Sequence, residues 1–512
     1  MGNEHSPITG GRLVLLTIGV SLGLFMEILD TSIANVAIPS IAGNLAVSPD
    51  QGTWVITAFM VSLAITLPLT GWLGKRFGEV RLFLAATLLF SIFSLLCGLS
   101  ASLPMLIVCR ILQGAVAGPM IPLSQSLLMK NYPADKQGTA LSIWGMIAVV
   151  APVVGPVLGG LLTDDVSWRW VFFINVPIGL IAVALTAAIL RGRETEKEVR
   201  SLDKVGLGLL IVGVASLEIL LAKGNDLAWF SSPTICWLAV IAIVALSFFV
   251  VWELTEAHPV VDLKLFARRN FTVATLAVSL GFMMLFGNII IFPLWLQTQM
   301  GYTATWAGIA AAPMGVLAIF VAPMMGRLMQ RFDPRLLVTV AFVLFAGVSF
   351  WVSGFATNVD LGQLMLPRLF YGIGIAMFFI PLIALSVAGL PPERVAGASG
   401  LFNFMRMLAG AFGASISVTL WDQREALHDA HLSAIANVHS PFTTPIFNTL
   451  KELGANTQAS LDELAHTISQ QAFMLATNDF YWLSGWVFII LIGLVWFARR
   501  STRGAAPAAR SR

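Results

Sequence analysis

The sequence predicts an all-α polytopic membrane protein with fourteen membrane-spanning helices. Only 11% of its 512 residues are charged, whereas 57% are apolar. A soluble protein carries about a quarter charged residues, so these charges are too few to cover a soluble globule of this length. Apolar runs long enough to cross roughly 30 Å of hydrocarbon recur along the whole chain. The net charge is only +3, and we expect no nucleic-acid partner.

The apolar runs place the predicted spans in order along the chain. They lie at about 13–38, 52–74, 82–100, 104–129, 138–163, 169–190, 204–222, 234–254, 271–298, 305–330, 335–356, 362–388, 397–420 and 478–498. Many spans contain Pro or Gly, which membrane helices tolerate when neighbouring groups satisfy the freed backbone. The first span is long and contains an acid, so we interpret it as a retained helix and not as a cleaved signal peptide. Three cysteines in apolar runs predict neither a disulfide framework nor a CxxC metal site.

The basic residues predict the orientation of the chain. With the N-terminus inside, 23 of the 30 Lys and Arg residues lie on the inner side, including a cluster at 191–204. Arg169, Lys223, Arg424 and Lys451 lie outside, and the remaining three arginines fall within spans. Basic residues concentrate in cytoplasmic loops, so both termini are predicted to be cytoplasmic.

An internal repeat divides the chain. Residues 71–77, GWLGKRF, are echoed 255 residues later by residues 326–332, GRLMQRF. Arg110 begins RILQG, and Arg368 begins RLFYG 258 residues later, so two motifs repeat at nearly one offset. Such self-similarity is typical of transporters built from structural repeats. We therefore predict two six-helix halves and two inserted helices, at 1–190, 271–512 and 191–270 respectively.

Residues 421–477 form the one long loop between predicted spans, on the outer side. The loop is polar and compatible with helix, and the candidate helices are Trp421–Ala436 and Pro445–Gln471.

Asp30 lies where the first helix crosses lipid. An ionisable group at the bilayer centre costs about 2.5–3.5 kcal/mol on insertion scales, so such groups usually have a function. Glu27, Thr31 and Ala34 share its helix face, with Asn35 at the edge. We interpret this face as the wall of a cavity, in which Asp30 accepts a proton and Glu27 assists it. The alternative is an acid that pairs with a base for packing alone.

Arg110 of the fourth span is the predicted partner of Asp30. It lies roughly 9 Å from the outer end of its span, and Asp30 lies roughly 13 Å from the end of its own, at 1.5 Å per residue. An arginine favours an ionised carboxylate and burial favours a neutral one, so a conformational change can tip protonation. Gln113 shares the face of Arg110. The alternative is a permanent ion pair that locks two helices.

The remaining candidates are weaker. Arg406, with Asn403 on its face, either attracts an anionic substrate or pairs across the halves. Arg368 and Glu218 are expected to snorkel to the interface. The full set of candidates for the substrate cavity is Asn35, Gln113, Trp144, Asn403 and Arg406. The pair His428 and His431 has no third metal ligand, and no catalytic constellation converges, so we predict a protein that is not an enzyme and needs no cofactor.

Several motifs resemble those of the fourteen-span drug:proton antiporters of the major facilitator superfamily, and within them the EmrB and FarB types. LDTSIANVAIP at 29–39 is similar to the first-span signature of this group. GWLGKRFGEVRL at 71–82 resembles the loop 2–3 motif, although Lys75 stands where an Asp is usual. RILQG at 110–114 resembles the motif implicated in proton transfer, and APVVGPVLGG at 151–160 resembles the span-5 antiporter motif. The resemblance implies conformational roles for Gly71, Arg76, Gly78, Arg81, Gly155, Pro156, Gly159 and Gly160.

This resemblance implies a major facilitator fold and proton-driven export across the bacterial inner membrane. The implied substrates are hydrophobic toxicants such as uncouplers, antibiotics and fatty acids, with the proton as coupling ion. EmrB-type exporters work with a periplasmic membrane-fusion adaptor of the EmrA type and a TolC-like outer-membrane channel, and the outer loop 421–477 is the expected contact. The alternative is a nutrient or metabolite symporter or uniporter on the same fold, against which the span-5 motif and the long outer loop argue.

Overall fold

The computed structural model describes residues 8–133, 136–195, 197–198, 202–435 and 457–499. Helices form almost all the regular structure of these residues, and no β-strand occurs among them. Twelve helices are long and apolar enough to span a membrane, or fourteen when each of two bent helix pairs counts as one span. The predicted all-α, polytopic fold is confirmed.

The fourteen candidate spans are labelled α1 to α14 in chain order. Their bounds are Gly10–Asn44, Trp54–Thr66 with Thr70–Phe77, Glu79–Gly98, Leu103–Asn131, Gln137–Pro152 with Val157–Thr163, Trp170–Leu190, Lys204–Lys223, Pro233–Thr255, Arg269–Thr298, Thr305–Arg331, Pro334–Val352, Leu361–Val387, Pro392–Ile435 and Gln458–Trp496.

Two spans are bent where the sequence interrupts the helical hydrogen bonds. The two parts of α2 meet at 65° around Pro68, which has no N–H to donate to the preceding turn. The two parts of α5 meet at 42° after Pro152. Gly78 separates α2 from α3 with a φ of +88°, in the left-handed region that favours glycine.

The packing of α1–α6 recurs in α9–α14. In the first set α1 packs on α5 and α6, α2 on α4, and α3 on α4 and α6; in the second set α9 packs on α13 and α14, α10 on α12, and α11 on α12 and α14. The two sets meet through α5 with α10 and α12, and through α13 with α2 and α4. This contact pattern is that of a repeat-built transporter with a central interface.

The inserted helices α7 and α8 pack on each other, and α7 also contacts both halves. Lys223 Nζ donates to Thr53 Oγ1, at the start of α2, at 3.2 Å. Ser415 Oγ of α13 donates to the Leu221 carbonyl at 2.8 Å. The α7 helix therefore bridges the start of α2 and the middle of α13.

Two expectations of snorkelling are wrong. The side chain of Glu218 is only 8% exposed and faces protein. The side chain of Arg368 is 3% exposed and packs inside the second half. Both residues lie within the length of their helices, and tertiary packing covers the helix face that carries them.

The C-terminal part of α13 and the N-terminal part of α14 form a helical pair. Trp421 Nε1 donates to Thr477 Oγ1 at 2.9 Å, and the Trp421 and Phe473 ring centroids are 4.5 Å apart. His428 Nε2 hydrogen-bonds to Asp479 Oδ2 at 2.9 Å, so this histidine has a carboxylate partner. The first candidate helix of the outer loop continues α13, and the second overlaps the start of α14; residues 436–456 lie outside the described part of the chain.

Candidate functional site

Asp30 lies in α1 with its side chain completely buried. Arg110 Nη1 of α4 donates a hydrogen bond to Asp30 Oδ2 at 2.5 Å, and both side chains of this ion pair are fully buried. Gln113 Nε2, one turn along α4, donates to Asp30 Oδ1 at 3.1 Å. The structure therefore brings together the acid, the arginine and the glutamine that the sequence singled out.

Arg110 is held by several groups besides Asp30. Its Nε donates to the Val55 carbonyl at 3.0 Å, and its Nη1 also donates to Gln113 Oε1 at 2.9 Å. Its guanidinium carbon lies 4.1 Å from the centroid of the Phe59 ring, which is within the range of a cation–π interaction. These contacts do not depend on the charge of Asp30, so they keep the arginine in place when that charge changes.

Asn175, at the start of the main part of α6, is a site residue that the sequence interpretation missed. Its Nδ2 donates to Asp30 Oδ1 and to Ser94 Oγ, both at 2.9 Å. Ser94 Oγ in turn donates to the Phe172 carbonyl at 2.8 Å. A fully buried asparagine in the apolar stretch VFFINVP was the available signal, because a buried amide in a membrane span needs hydrogen-bond partners.

Glu27, one turn before Asp30, is 1% exposed, and its carboxylate oxygens meet no hydrogen-bond partner among the described residues. Arg406 of α13 lies close enough to Glu27 to interact with it electrostatically. The guanidinium carbon of Arg406 lies 4.9 Å from the Phe282 ring centroid and 5.7 Å from that of Phe379. Glu27 of α1 and Arg406 of α13 therefore place an acid and a base on opposite halves.

Asn403 belongs to a polar contact that joins the halves. Its Oδ1 accepts from Arg406 Nε at 3.3 Å, and its Nδ2 donates to the Ser399 carbonyl at 2.9 Å. The Ser399 hydroxyl hydrogen-bonds to Gln125 of α4. An open cleft of about 570 Å³ lies at the C-terminal ends of α4, α10 and α12 and the N-terminal ends of α5 and α13. The halves thus contact each other between the Glu27–Arg406 level and this cleft.

Two predicted cavity residues lie elsewhere. Asn35 is exposed near the outer part of α1, and its Nδ2 donates to the Thr31 carbonyl at 3.1 Å. Trp144 is 3% exposed, and its Nε1 donates to Ser124 Oγ at 2.8 Å, which ties α5 to α4 inside the first half. Neither residue contacts Asp30 through a hydrogen bond in the described part of the chain.

The loop 2–3 motif forms part of the contact between halves. A Cβ placed on Gly71 would lie 2.8 Å from the Cα of Gly397 in α13, so only glycine permits this approach. Arg76 and Arg81 are exposed, and the Arg81 N–H donates to Glu194 Oε2 at 2.9 Å. Glu194, in the segment that follows α6, therefore caps the start of α3.

The loop 2–3 motif has Lys75 at the position where an Asp is usual. Its carboxylate is that of Glu79, four residues further along the chain. Glu79 is 4% exposed and accepts from Lys130 Nζ and from Ser126 Oγ, each at 2.8 Å. Lys75 instead contributes its backbone carbonyl, which accepts from the Glu198 N–H at 2.9 Å. The ion pair of this inner loop therefore joins α3 to α4 within one half.

The span-5 glycines divide into two that pack on α1 and one that does not. A Cβ on Gly155 would lie 2.5 Å from Ser32 Oγ, and a Cβ on Gly159 would lie 3.0 Å from the Ile33 carbonyl oxygen. A Cβ on Gly160 would meet nothing within 4 Å. The side chain of Pro156 is outside the described part of the structure. Gly155 and Gly159 thus set the distance between α5 and the part of α1 that carries Asp30.

Gly155→Ala should lower the thermal unfolding midpoint, whereas Gly160→Ala should leave it unchanged or raise it. The new methyl at 155 pushes α5 away from Ser32, and overpacking of this kind costs about 1–3 kcal/mol. Alanine at 160 meets open space and improves helix propensity. Tryptophan fluorescence of the purified variants during heating measures both midpoints. Equal midpoints for the two variants would contradict the close packing at Gly155.

A buried acid–arginine pair inside a helical, repeat-built membrane fold is typical of a polytopic membrane transport protein. The model of the Major Facilitator Superfamily matches residues 20–414. The chain belongs to this superfamily, and it is a transporter and not an enzyme. The resemblance to the EmrB and FarB types is also confirmed, by relatives that match almost the whole chain.

The chain is 49% identical over 497 residues to the multidrug export protein EmrB of Escherichia coli (strain K12), covering 97% of each chain. It is 46% identical over 499 residues to the fatty acid resistance protein FarB of Neisseria gonorrhoeae, covering 97% of this chain and 98% of FarB. Among solved structures, the proton:xylose symporter XylE bound to 6-bromo-6-deoxy-D-glucose has a TM-score of 0.59 at 16% identity. That similarity covers 96% of this chain and 97% of XylE, and it shows the fold alone.

Proposed function

We propose that this transporter is a proton-driven exporter of hydrophobic toxicants. The observation that carries the proposal is the fully buried ion pair between Asp30 and Arg110, which lies in the repeat that contacts the second half. The similarity to proteins named for multidrug export and for fatty acid resistance supports export of uncouplers, antibiotics and fatty acids. A sugar symporter shares the fold, so the fold alone does not decide the direction of transport.

Proton coupling follows from what a proton does at Asp30. A proton bound to its carboxylate removes the negative charge and with it the ion-pair attraction for Arg110. Gln113 and Asn175 still hydrogen-bond to the neutral carboxyl, so the side chain keeps its place while α1 and α4 are no longer held by charge. Each proton that enters down a potential of 100 mV supplies about 2.3 kcal/mol. That energy favours one arrangement of the two halves over the other.

Glu27 and Arg406 are the titratable pair proposed for the central interface. They belong to different halves, so movement of one half against the other changes their separation. The Phe282 and Phe379 rings beside Arg406 offer apolar surface to a hydrophobic substrate, and the guanidinium offers a counter-charge to a weak acid.

The proposed setting is the bacterial inner membrane, with both termini in the cytoplasm. The excess of basic residues on the predicted inner side supports this orientation. We further propose that the transporter works with a periplasmic membrane-fusion adaptor and a TolC-like outer-membrane channel. The supporting feature is the pair formed by α13 and α14, which have 44 and 39 residues; about 20 residues suffice to cross a bilayer, so the pair extends beyond it.

Replacing residues 432–460 by a short Gly/Ser linker should abolish co-purification of the adaptor. The Trp421–Thr477 and His428–Asp479 contacts remain in this variant, so we expect unchanged membrane insertion and an unchanged elution profile. Adaptor binding is measured by pull-down from membranes that contain both proteins. A shuffled sequence of the same residues at 432–460 is the control for loop length. Wild-type adaptor recovery with the Gly/Ser variant would refute this docking site.

A further inference from the structure

Arg368 of α12 is a buried arginine without a carboxylate partner among the described residues. Its side chain is 3% exposed, and its Nη2 donates to the Tyr481 hydroxyl at 2.5 Å. Its guanidinium carbon lies 3.5 Å from the Phe292 ring centroid. A hydroxyl and an aromatic face only partly compensate a positive charge that has left water.

The internal repeat relates this cluster to the Asp30 site. Arg110 and Arg368 are 258 residues apart, and the same offset relates Gln113 to Tyr371. Applied to Asp30, it leads to Asn288 of α9, which is also fully buried. The second half therefore keeps the arginine and has a neutral amide at the position of the acid.

Three buried polar atoms of this cluster have no hydrogen-bond partner within the described part of the chain: Arg368 Nε, Tyr371 Oη and Asn288 Oδ1. The Arg368 guanidinium carbon lies 5.8 Å from the Tyr371 ring centroid, so the first two atoms belong to neighbouring side chains. Asn288 lies one turn before Phe292 on α9, the ring that stacks on the arginine. Both Arg368 Nε and the Tyr371 hydroxyl are donors, and buried donors of this kind require an acceptor.

We propose that Arg368 and Tyr371 bind a small monovalent anion, which supplies the negative charge that Asp30 supplies in the first half. The anion accepts from Arg368 Nε and the Tyr371 hydroxyl and neutralises the guanidinium. A halide ion and the carboxylate of a small organic acid share this chemistry. In the first half the negative charge beside the arginine is the carboxylate of Asp30, and in the second half it is a bound anion from solution.

The test uses the purified full-length protein in lipid nanodiscs, heated while tryptophan fluorescence is followed. Sodium chloride and sodium acetate are titrated separately against a bulky sulfonate salt at constant ionic strength. A ligand that binds only the folded state raises the unfolding midpoint, and we expect a saturable rise of about 1–3 °C. A rise with chloride alone identifies a halide site, and a rise with acetate identifies a site that admits carboxylates. No rise with either salt overturns the proposal.

Asn288→Asp places a carboxylate on the chain at the repeat position of Asp30. We expect this variant to have a higher midpoint in the sulfonate salt than the wild type and to lose the anion-dependent rise. Arg368→Gln should lose the rise as well, whereas Arg327→Gln, which changes an exposed arginine at the inner end of α10, should keep it. An Asn288→Asp variant with the wild-type response would show that the anion binds elsewhere, and this variant decides the question if Arg368→Gln fails to fold. None of these measurements depends on proton-driven export.

Discussion

We expect Asp30→Asn to abolish the proposed proton-driven efflux in a variant that still inserts into the membrane. Asparagine keeps the size of the side chain, and Arg110 retains its contacts with Val55, Gln113 and Phe59. The variant cannot exchange a proton at this position, so a pH gradient no longer acts on the contact between α1 and α4. Dye transport into inside-out vesicles with an imposed pH gradient should therefore fall to the level of vesicles without the protein.

Asp165→Asn is the matched control, because it makes the same chemical change at an exposed position at the end of α5. This control should transport dye at the wild-type rate. Glu27→Gln in the same assay tells whether Asp30 acts alone or shares its proton with the acid one turn away. Gradient-driven transport by Asp30→Asn at the rate of the Asp165→Asn control would refute the role assigned to Asp30.

We expect Asp30→Asn and Arg110→Gln each to destabilise the protein by about 3–5 kcal/mol, because the removal of one partner of a buried ion pair leaves the other charge uncompensated. The double variant Asp30→Asn with Arg110→Gln removes both charges. We expect it to recover much of the lost stability, since two neutral amides can hydrogen-bond to each other and to Gln113 or Asn175. It should nevertheless remain inactive in gradient-driven efflux. Unfolding midpoints of the two single variants and the double variant form the double-mutant cycle.

Arg327→Gln provides the control for loss of an arginine, because this side chain is exposed. Its midpoint should stay within the error of the wild-type value, as is usual for surface substitutions. A double variant as unstable as Arg110→Gln alone would mean that the loss comes from packing around Arg110 and not from the unpaired carboxylate.

The fold was predictable because its signals are local. Within a bilayer, a single apolar segment satisfies its own backbone hydrogen bonds only as a helix. The lengths of the apolar runs therefore indicate where the helices lie and about how many there are. The repeat was equally visible, since GWLGKRF and GRLMQRF, or Arg110 and Arg368, recur at nearly constant spacing. The pairing of Asp30 with Arg110 followed from depth, because rise per residue converts sequence distance from a helix end into position across the membrane.

Contacts between helices that are far apart in the sequence could not be predicted in this way. Asn175 shares no helix face with Asp30, and only the packing of α6 against α1 brings its amide to the carboxylate. Glu218 and Arg368 were expected to reach the membrane interface, but both are buried in protein. The distance of a residue from a helix end does not show which neighbouring helix covers it. The different packing of the span-5 glycines also depends on tertiary structure. A methyl group at Gly155 would point at α1, whereas one at Gly160 would point into open space.

The sequence by itself determined a fourteen-helix, two-repeat membrane protein with an acid and an arginine at matching depth in its first half. These properties depend on hydrophobic length, charge and period, all of which are encoded within single segments. The tertiary structure alone decided which groups complete the Asp30 site and that the corresponding arginine of the second half has no carboxylate partner among the residues that the structure describes. Both results depend on how helices far apart in the chain rotate and pack, because hydrogen bonds form only between side chains that the fold turns toward each other.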